Sequence, residues 1–278
     1  MQKILVPTDF SATSKNVAVY AIALAKQIGV SKIIIYNAYE ILMPAIAIDQ
    51  TFPSAMPIDI EVYKNISNTG LATFVNTLEP FCENQVILET LSDFNTLVTG
   101  ISEAVTTHHV DLVIMGVTGG NSFEENLIGS NAVDVAKDVT VPMIIVPPNA
   151  VFKQIEEIAL AVDLKKVAVA TPIQPIKALL DIVKAKLFVL HVNDGEDEDD
   201  KVEEMEVLST LLQGYNPEYF FVNNASFIDG INDFVDSKNV DLIVTIPKKH
   251  GWFENLFTKS HTKLLAFHSH VPLMVMHD

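Results

Sequence analysis

The chain has 278 residues, of which 49% are hydrophobic and 19% charged; that composition excludes a disordered chain and supplies core enough for one large domain or two of ordinary size. Its net charge is −17 and all 18 basic residues are lysine, so the chain offers no basic stripe for nucleic acid. Without arginine it has neither a bidentate guanidinium clamp for phosphate nor an arginine finger.

No apolar run approaches the ~20 residues of a membrane helix. Lys3-Ile-Leu-Val follows Met1 almost at once; this leaves no room for a signal peptide, and a cytoplasmic location is expected. Cys82 is the only cysteine, which rules out an internal disulfide, and its helical setting suits a small core residue.

Strands and helices alternate along the chain. Lys3 to Asp9 reads as a first strand. Val17, Tyr20, Ala21, Leu24 and Ile28 then recur at helical spacing, with Ser11 or Ser14 to cap the start and Gly29 to end the helix. Lys32 to Tyr39 is a second buried strand. A stretch broken by Pro44, Pro53 and Pro57 leads to a long helix over 58–82. Strands are expected at 86–91, 110–116 and 142–147, separated by helices near 94–108 and 130–138. Continuous Val/Ile/Leu runs mark strands covered on both faces, hence a parallel α/β sheet.

The second half repeats this order. "SKIIIYNAYE" at 31–40 matches "AKLFVLHVND" at 185–194, and "KILVPTD" at 3–9 matches "EIALAVD" at 157–163 at the same offset. "VDLVIMG" at 110–116 matches "VDLIVTI" at 240–246, and "VPMIIV" at 141–146 matches "VPLMVM" at 271–276, again at one shared offset. The difference between the two offsets falls where the first half carries its proline-rich insertion. The pattern is that of a tandem duplication, jointed at Pro147-Pro148-Asn149 and divided into 1–148 and 149–278. The apolar fifth strand of each half permits edge-to-edge pairing between halves.

The stretch most suggestive of chemistry is "GVTGGNSFEENLIGS", 116–130. In an open parallel sheet, ligands sit beyond the carboxyl ends of the strands where strand order reverses. Asp9, Ala38 and Gly116 converge there if the first and fourth strands are neighbours. Gly119 and Gly120 allow backbone N–H groups to turn inward, and Gly129-Ser130 opens a helix whose N-terminus attracts anions. A tight turn with Ser130 as a simple helix cap accounts for the same glycines.

Gly116-x2-Gly119-x9-Gly129-Ser130, together with "ILVPTDFS" and "YNAYE", resembles the universal stress protein family, in tandem form and over essentially the whole chain. The resemblance implies two open five-stranded parallel sheets of order 3-2-1-4-5, with helices on both faces and pseudo-twofold symmetry between them. It implies ATP or a related adenine nucleotide as ligand, with Mg2+ as a companion. Asp9 would serve the ribose or metal side, the Ala38 backbone would read adenine, and Gly119, Gly129 and Ser130 would hold phosphates, with Pro7, Gly116 and Asn131 beside them. It also implies a stress-response regulator able to form homodimers.

Val117-Thr118 stands where many binders place a basic or imidazole residue, and Glu124 and Glu125 follow. Triphosphate charge would therefore fall to backbone amides, Ser130, Mg2+ and a helix dipole of about 0.3–1 kcal/mol. With no arginine finger and no evident base to orient water, ATPase chemistry would be slow at most. A nucleotide-free scaffold of the same fold is the alternative.

In the second half the matching loop reads "TIPKKHGWFENLFTKSH", 245–261. There Thr245 is aligned with Gly116 and Lys248 with Gly119, and one residue is inserted before Ser260. Asp163 survives as the mate of Asp9. The acidic run 194–200 lacks the spacing of a calcium loop, and His268, His270 and His277 lack a zinc signature, so no metal site is expected. His108-His109 closes a helix, where imidazolium suits the dipole. The apolar stretch 43–57 suits a cover for the sheet or a partner surface.

Overall fold

The computed structural model describes residues 1–40, 59–117, 130–162, 164, 167–193, 199–223, 227–246 and 271–277. In the first half the elements are β1 (Lys3–Pro7), α1 (Ala12–Ile28), β2 (Lys32–Tyr39), α2 (Ile60–Cys82), β3 (Ile87–Phe94), α3 (Leu97–Thr107), β4 (Leu112–Gly116), α4 (Ser130–Asp138) and β5 (Met143–Val146). The second half supplies β6 (Glu157–Ala161), α5 (Val167–Ala170), α6 (Ile173–Val183), β7 (Lys186–Asn193), α7 (Asp199–Leu211), β8 (Glu218–Asn223), α8 (Phe227–Lys238), β9 (Leu242–Thr245) and β10 (Leu273–Val275).

Among the described residues, ten strands lie in one sheet of order β3-β2-β1-β4-β5-β10-β9-β6-β7-β8. Each half is parallel throughout and has the order 3-2-1-4-5. The halves meet at the centre, where β5 and β10 pair antiparallel, with Ile144 opposite Met274. That antiparallel seam gives the pseudo-twofold relation. The seam side chains Met143–Val146 and Leu273–Val275 are all buried, each contributing about 1.5–3 kcal/mol of transfer free energy.

Side chains alternate along each strand between two cores. Ile4, Val6, Ile33 and Ile35 pack under α1 and α2, whereas Leu5, Ile34 and Tyr36 pack under α3 and α4. Continuous apolar runs are the expected result of two covered faces. Both cores cross the seam: α6 and α7 continue the first layer and α8 the second. The segment between halves is clipped to α1, for Asn16 Nδ2 donates to Pro148 O and Ala150 O, and Gln27 exchanges two hydrogen bonds with the Ile155 backbone.

Local signals act where the residues predict. Ser11 caps α1 by accepting from Ser14 N, and Gly29 ends it in the left-handed region at φ 72°. Cys82 is buried at the end of α2, and burial raises its thiol pKa.

Several contacts recur in both halves. Asp111 Oδ2 accepts from the amides of Gln2 and Lys3, and Asp241 Oδ2 accepts from those of Glu156 and Glu157. Lys32 pairs with Glu89 and Lys186 with Glu218. His109 and Asn239 share a left-handed turn before β4 and β9.

Candidate functional site

Strand β1 has β2 on one side and β4 on the other, so strand order reverses between β1 and β4. Beyond β1, Thr8 N donates to Tyr36 O, and the Thr8 hydroxyl accepts from Phe10 N while sharing a hydrogen bond with Ser14 Oγ. Asp9 Oδ1 accepts from Ser11 N. Phe10 turns the chain through φ 65°, a conformation that costs a non-glycine residue and persists only where packing holds it. The Phe10 ring provides that packing. It lies edge-on to Phe74 and so close over Gly70 that a Cβ there would sit 2.7 Å from its ring carbons. The result is an exposed Asp9 on a rigid shelf.

A buried polar chain fixes the shelf from below. Asn37 Nδ2 donates to Thr8 O at 2.8 Å, Ser67 Oγ donates to Asn37 Oδ1 at 2.7 Å, and Ser92 Oγ donates to Ser67 Oγ at 2.8 Å. It ties α2 and β3 to the end of β1. On the opposite face Tyr36 Oη donates to Asp93 Oδ2 at 2.9 Å. Burial, then that hydrogen bond and the charge of Asp93, raise the phenol well above its ordinary pKa. Gly100 of α3 lies against both groups, where a Cβ would collide with the Tyr36 hydroxyl.

Pro7, Asp9, Ala38 and Gly116 therefore lie at the carboxyl ends of the neighbouring strands β2, β1 and β4. Gly116 pairs with Val146, and the next residue, Val117, is buried. Ser130 and Asn131 begin α4, whose apolar side packs in the same core that Ala38 borders. Gly119, Gly120, Gly129, Glu124 and Glu125 lie outside the described residues.

The sequence reading missed Thr8, Asn37, Ser67 and Ser92, and took Ser14 only as a candidate helix cap. Its available signal was a polar residue inside an apolar strand: Asn37 follows Ile33-Ile-Ile-Tyr36, and a buried amide demands partners.

The second half keeps the frame and changes the contents. His191 takes the place of Asn37, and its Nδ1 lies 2.9 Å from Val162 O, the equivalent of Thr8 O. Leu164 repeats the left-handed turn of Phe10 with φ 48°. Val162 has no hydroxyl to match Thr8, and the long first helix becomes α5 and α6, with Pro172 between them.

One alignment needs correction. Ile4 pairs with Leu112 and Ile158 with Leu242, so Ile246, not Thr245, stands where the first half has Gly116; the same count sets Lys249, not Lys248, against Gly119 and Ser260 against Ser130 with no residue inserted. Ile246 is buried, and its β-branched side chain fills space that a glycine would not. Asp163, Lys248, Ser260, His268, His270 and 194–198 lie outside the described residues. Among the described residues no cluster of three His, Cys, Asp or Glu side chains is placed to hold a metal ion, and no helix is long and apolar enough to cross a membrane.

The model of the universal stress protein family matches residues 1–147. The chain belongs to the universal stress protein family. A search of curated proteins finds no match. Among solved structures, a universal stress protein from Archaeoglobus fulgidus is 19% identical, with a TM-score of 0.73 over 99% of this chain and 98% of its own. A functionally unknown protein from Pseudomonas aeruginosa is 12% identical, with a TM-score of 0.57 over 100% and 92%. At these identities the likeness concerns the universal stress protein fold alone. A universal stress protein solved in complex with cAMP also aligns, over 53% of this chain and 98% of its own, at 19% identity and a TM-score of 0.37; that ligand is a property of that protein.

Proposed function

We propose that this chain is a stress-response regulator that binds ATP or a related adenine nucleotide in its first unit, residues 1–148. Residues 149–278 form a second unit, duplicated from the same ancestor, that has lost the loop. The observation that carries this reading is the position of Gly116. It ends β4 at the point of strand-order reversal, beside the shelf that presents Asp9, and it opens the glycine spacing that leads into α4.

The residues fit such a ligand. Gly116 puts no side chain between backbone and ligand, and the first-turn amides of α4 lack helical partners. The backbone amides of 116–130 and Ser130 would hold the phosphates, Asp9 the ribose or Mg2+, and the Ala38 backbone the adenine. Mg2+ would supply the positive charge that the loop lacks. Binding built from amides without a guanidinium favours modest affinity and regulation over turnover.

Titration calorimetry with Mg·ATP on the intact chain tests this reading, with AMP and cAMP as parallel arms. One site per chain is expected, weakened at least about tenfold, or 1.4 kcal/mol, by Gly119→Val or Gly129→Val. Two sites per chain, or one site indifferent to both changes in folded protein, would overturn the assignment. A chain that binds none of the three nucleotides, and releases nothing absorbing near 260 nm on acid extraction, would be a scaffold.

A further inference from the structure

A cavity lies at the junction of the two halves. It has a volume of about 390 Å3, within the range of about 300–1,000 Å3 typical of small-ligand sites. It forms where β5 ends and where β9 and β10 begin, under the segment that joins the halves. Its floor is buried and largely apolar, with Tyr20, Val235 and Val240 among the lining residues. Its wall carries Lys153, Asp236, Asn239 and Asp241.

Two features distinguish this cavity from a packing gap. Tyr20 is only 3% exposed, yet its hydroxyl forms no hydrogen bond with any described residue. The ring is buried, and the residue lines the cavity, where a ligand's acceptor can meet the hydroxyl. Burial first, and then the nearby charge of Asp241, keep that phenol protonated, so it is a standing donor. Lys153 forms no ion pair among the described residues, although two carboxylates line the same cavity. Asp241 is held in place, since its Oδ2 accepts from the amides of Glu156 and Glu157.

The cavity also escapes the molecule's twofold repetition. Asp111 and His109 reproduce the Asp241 and Asn239 wall in the first half, but the connecting segment that brings Lys153 occurs once per chain. One such site per molecule follows.

We propose that this cavity binds one compact zwitterion of the α-amino acid type. Its ammonium group meets Asp236 and Asp241, its carboxylate meets Lys153 and Asn239, and its carbon body lies on the apolar floor near Tyr20. A diamine would leave Lys153 opposed by like charge, and a dicarboxylate would face Asp236 and Asp241, so the mixed wall selects a ligand carrying both signs.

The test is a thermal-shift survey of the intact chain against the twenty common L-amino acids, putrescine and succinate, followed by calorimetry on any ligand that stabilises it. At least one amino acid is expected to saturate a single site. Lys153→Met and Asp236→Asn, both at exposed positions, are each expected to weaken that binding at least fivefold. Tyr20→Phe keeps the packing, removes only the hydroxyl, and is expected to weaken it severalfold. The proposal is overturned if no amino acid binds, if only putrescine or succinate does, or if bound amino acid is indifferent to all three variants.

Discussion

Truncating Asn37 to alanine tests whether the buried polar chain holds the shelf beneath Asp9. Asn37 is nine-tenths buried and makes two hydrogen bonds, one to Thr8 O and one from Ser67 Oγ. The Ser67 hydroxyl has a substitute partner, because Ser92 Oγ lies 2.8 Å away and the pair can reverse direction. The Thr8 carbonyl has none of comparable geometry. One orphaned buried acceptor costs about 1–3 kcal/mol, and the void left by the carboxamide adds about 1 kcal/mol. Asn37→Ala is therefore expected to lose about 2–4 kcal/mol. Asn37→His is expected to lose about half as much, because His191 already makes the equivalent contact to Val162 O at 2.9 Å. Urea unfolding read at constant m separates these values, with Thr73→Ala as control, since that hydroxyl is exposed and bonded only to Thr69 O. An Asn37→Ala midpoint no lower than that of the control would refute the argument, as would a histidine variant worse than alanine.

Gly100→Ala is expected to destabilise the chain by about 1–3 kcal/mol in thermal unfolding, despite the gain in helix propensity. The new Cβ meets the Tyr36 hydroxyl and the Asp93 carboxylate, so adding Tyr36→Phe should recover part of the loss. In alkali the sign is fixed by two phenols that the fold holds protonated, Tyr20 and Tyr36. Their contribution is complete below the ordinary tyrosine pKa of about 10 and is lost as pH rises beyond it, when the unfolded chain ionises and the native one does not. Stability measured between pH 9 and 11.5 should fall, and less steeply in Tyr36→Phe. Residues 1–148 expressed alone would expose the edge of β5 and half of each core, and sedimentation should show a self-associated species; a stable monomer would mean that the seam contributes little.

Much of the fold is legible because its signals are local or repeat exactly. Ile33-Ile-Ile35 must be covered on both faces, Gly29 must stop a helix, and two constant offsets place four strands twice. The β5–β10 seam follows, since two apolar edges with no other cover pair with each other. The site was only half legible. Glycine spacing points at Gly116, but the chain from Thr8 through Asn37 and Ser67 to Ser92 has no period and closes only in three dimensions. For the same reason β3 runs on to Phe94, past Leu91 where apolar character fades: Ser92 and Asp93 look like loop residues until Ser67 and Tyr36 bond to them. Aligning Thr245 with Gly116 was a slip of one residue: the match of 110–116 with 240–246 already sets Ile246 opposite Gly116, and the sheet register agrees.

The two halves show how one frame separates structure from function. What both retain is the frame: the aspartate that fastens the first strand, the left-handed turn beyond it, and a side chain on the second strand within hydrogen-bonding distance of the first strand's last carbonyl. Each of these satisfies or positions backbone that the fold would otherwise leave strained or unpaired, so each is required wherever the fold is. What differs is the space above the frame. Gly116 carries no side chain at the end of β4, whereas its counterpart Ile246 is buried, and Thr8, which hardens the shelf through Ser14, becomes Val162. An isoleucine in place of Gly116 buries apolar surface and so stabilises the half. The second half thus supplies the first with a covered edge at the β5–β10 seam, and the halves part at the carboxyl ends of β1 and β4, where Thr8 and Gly116 answer to Val162 and Ile246.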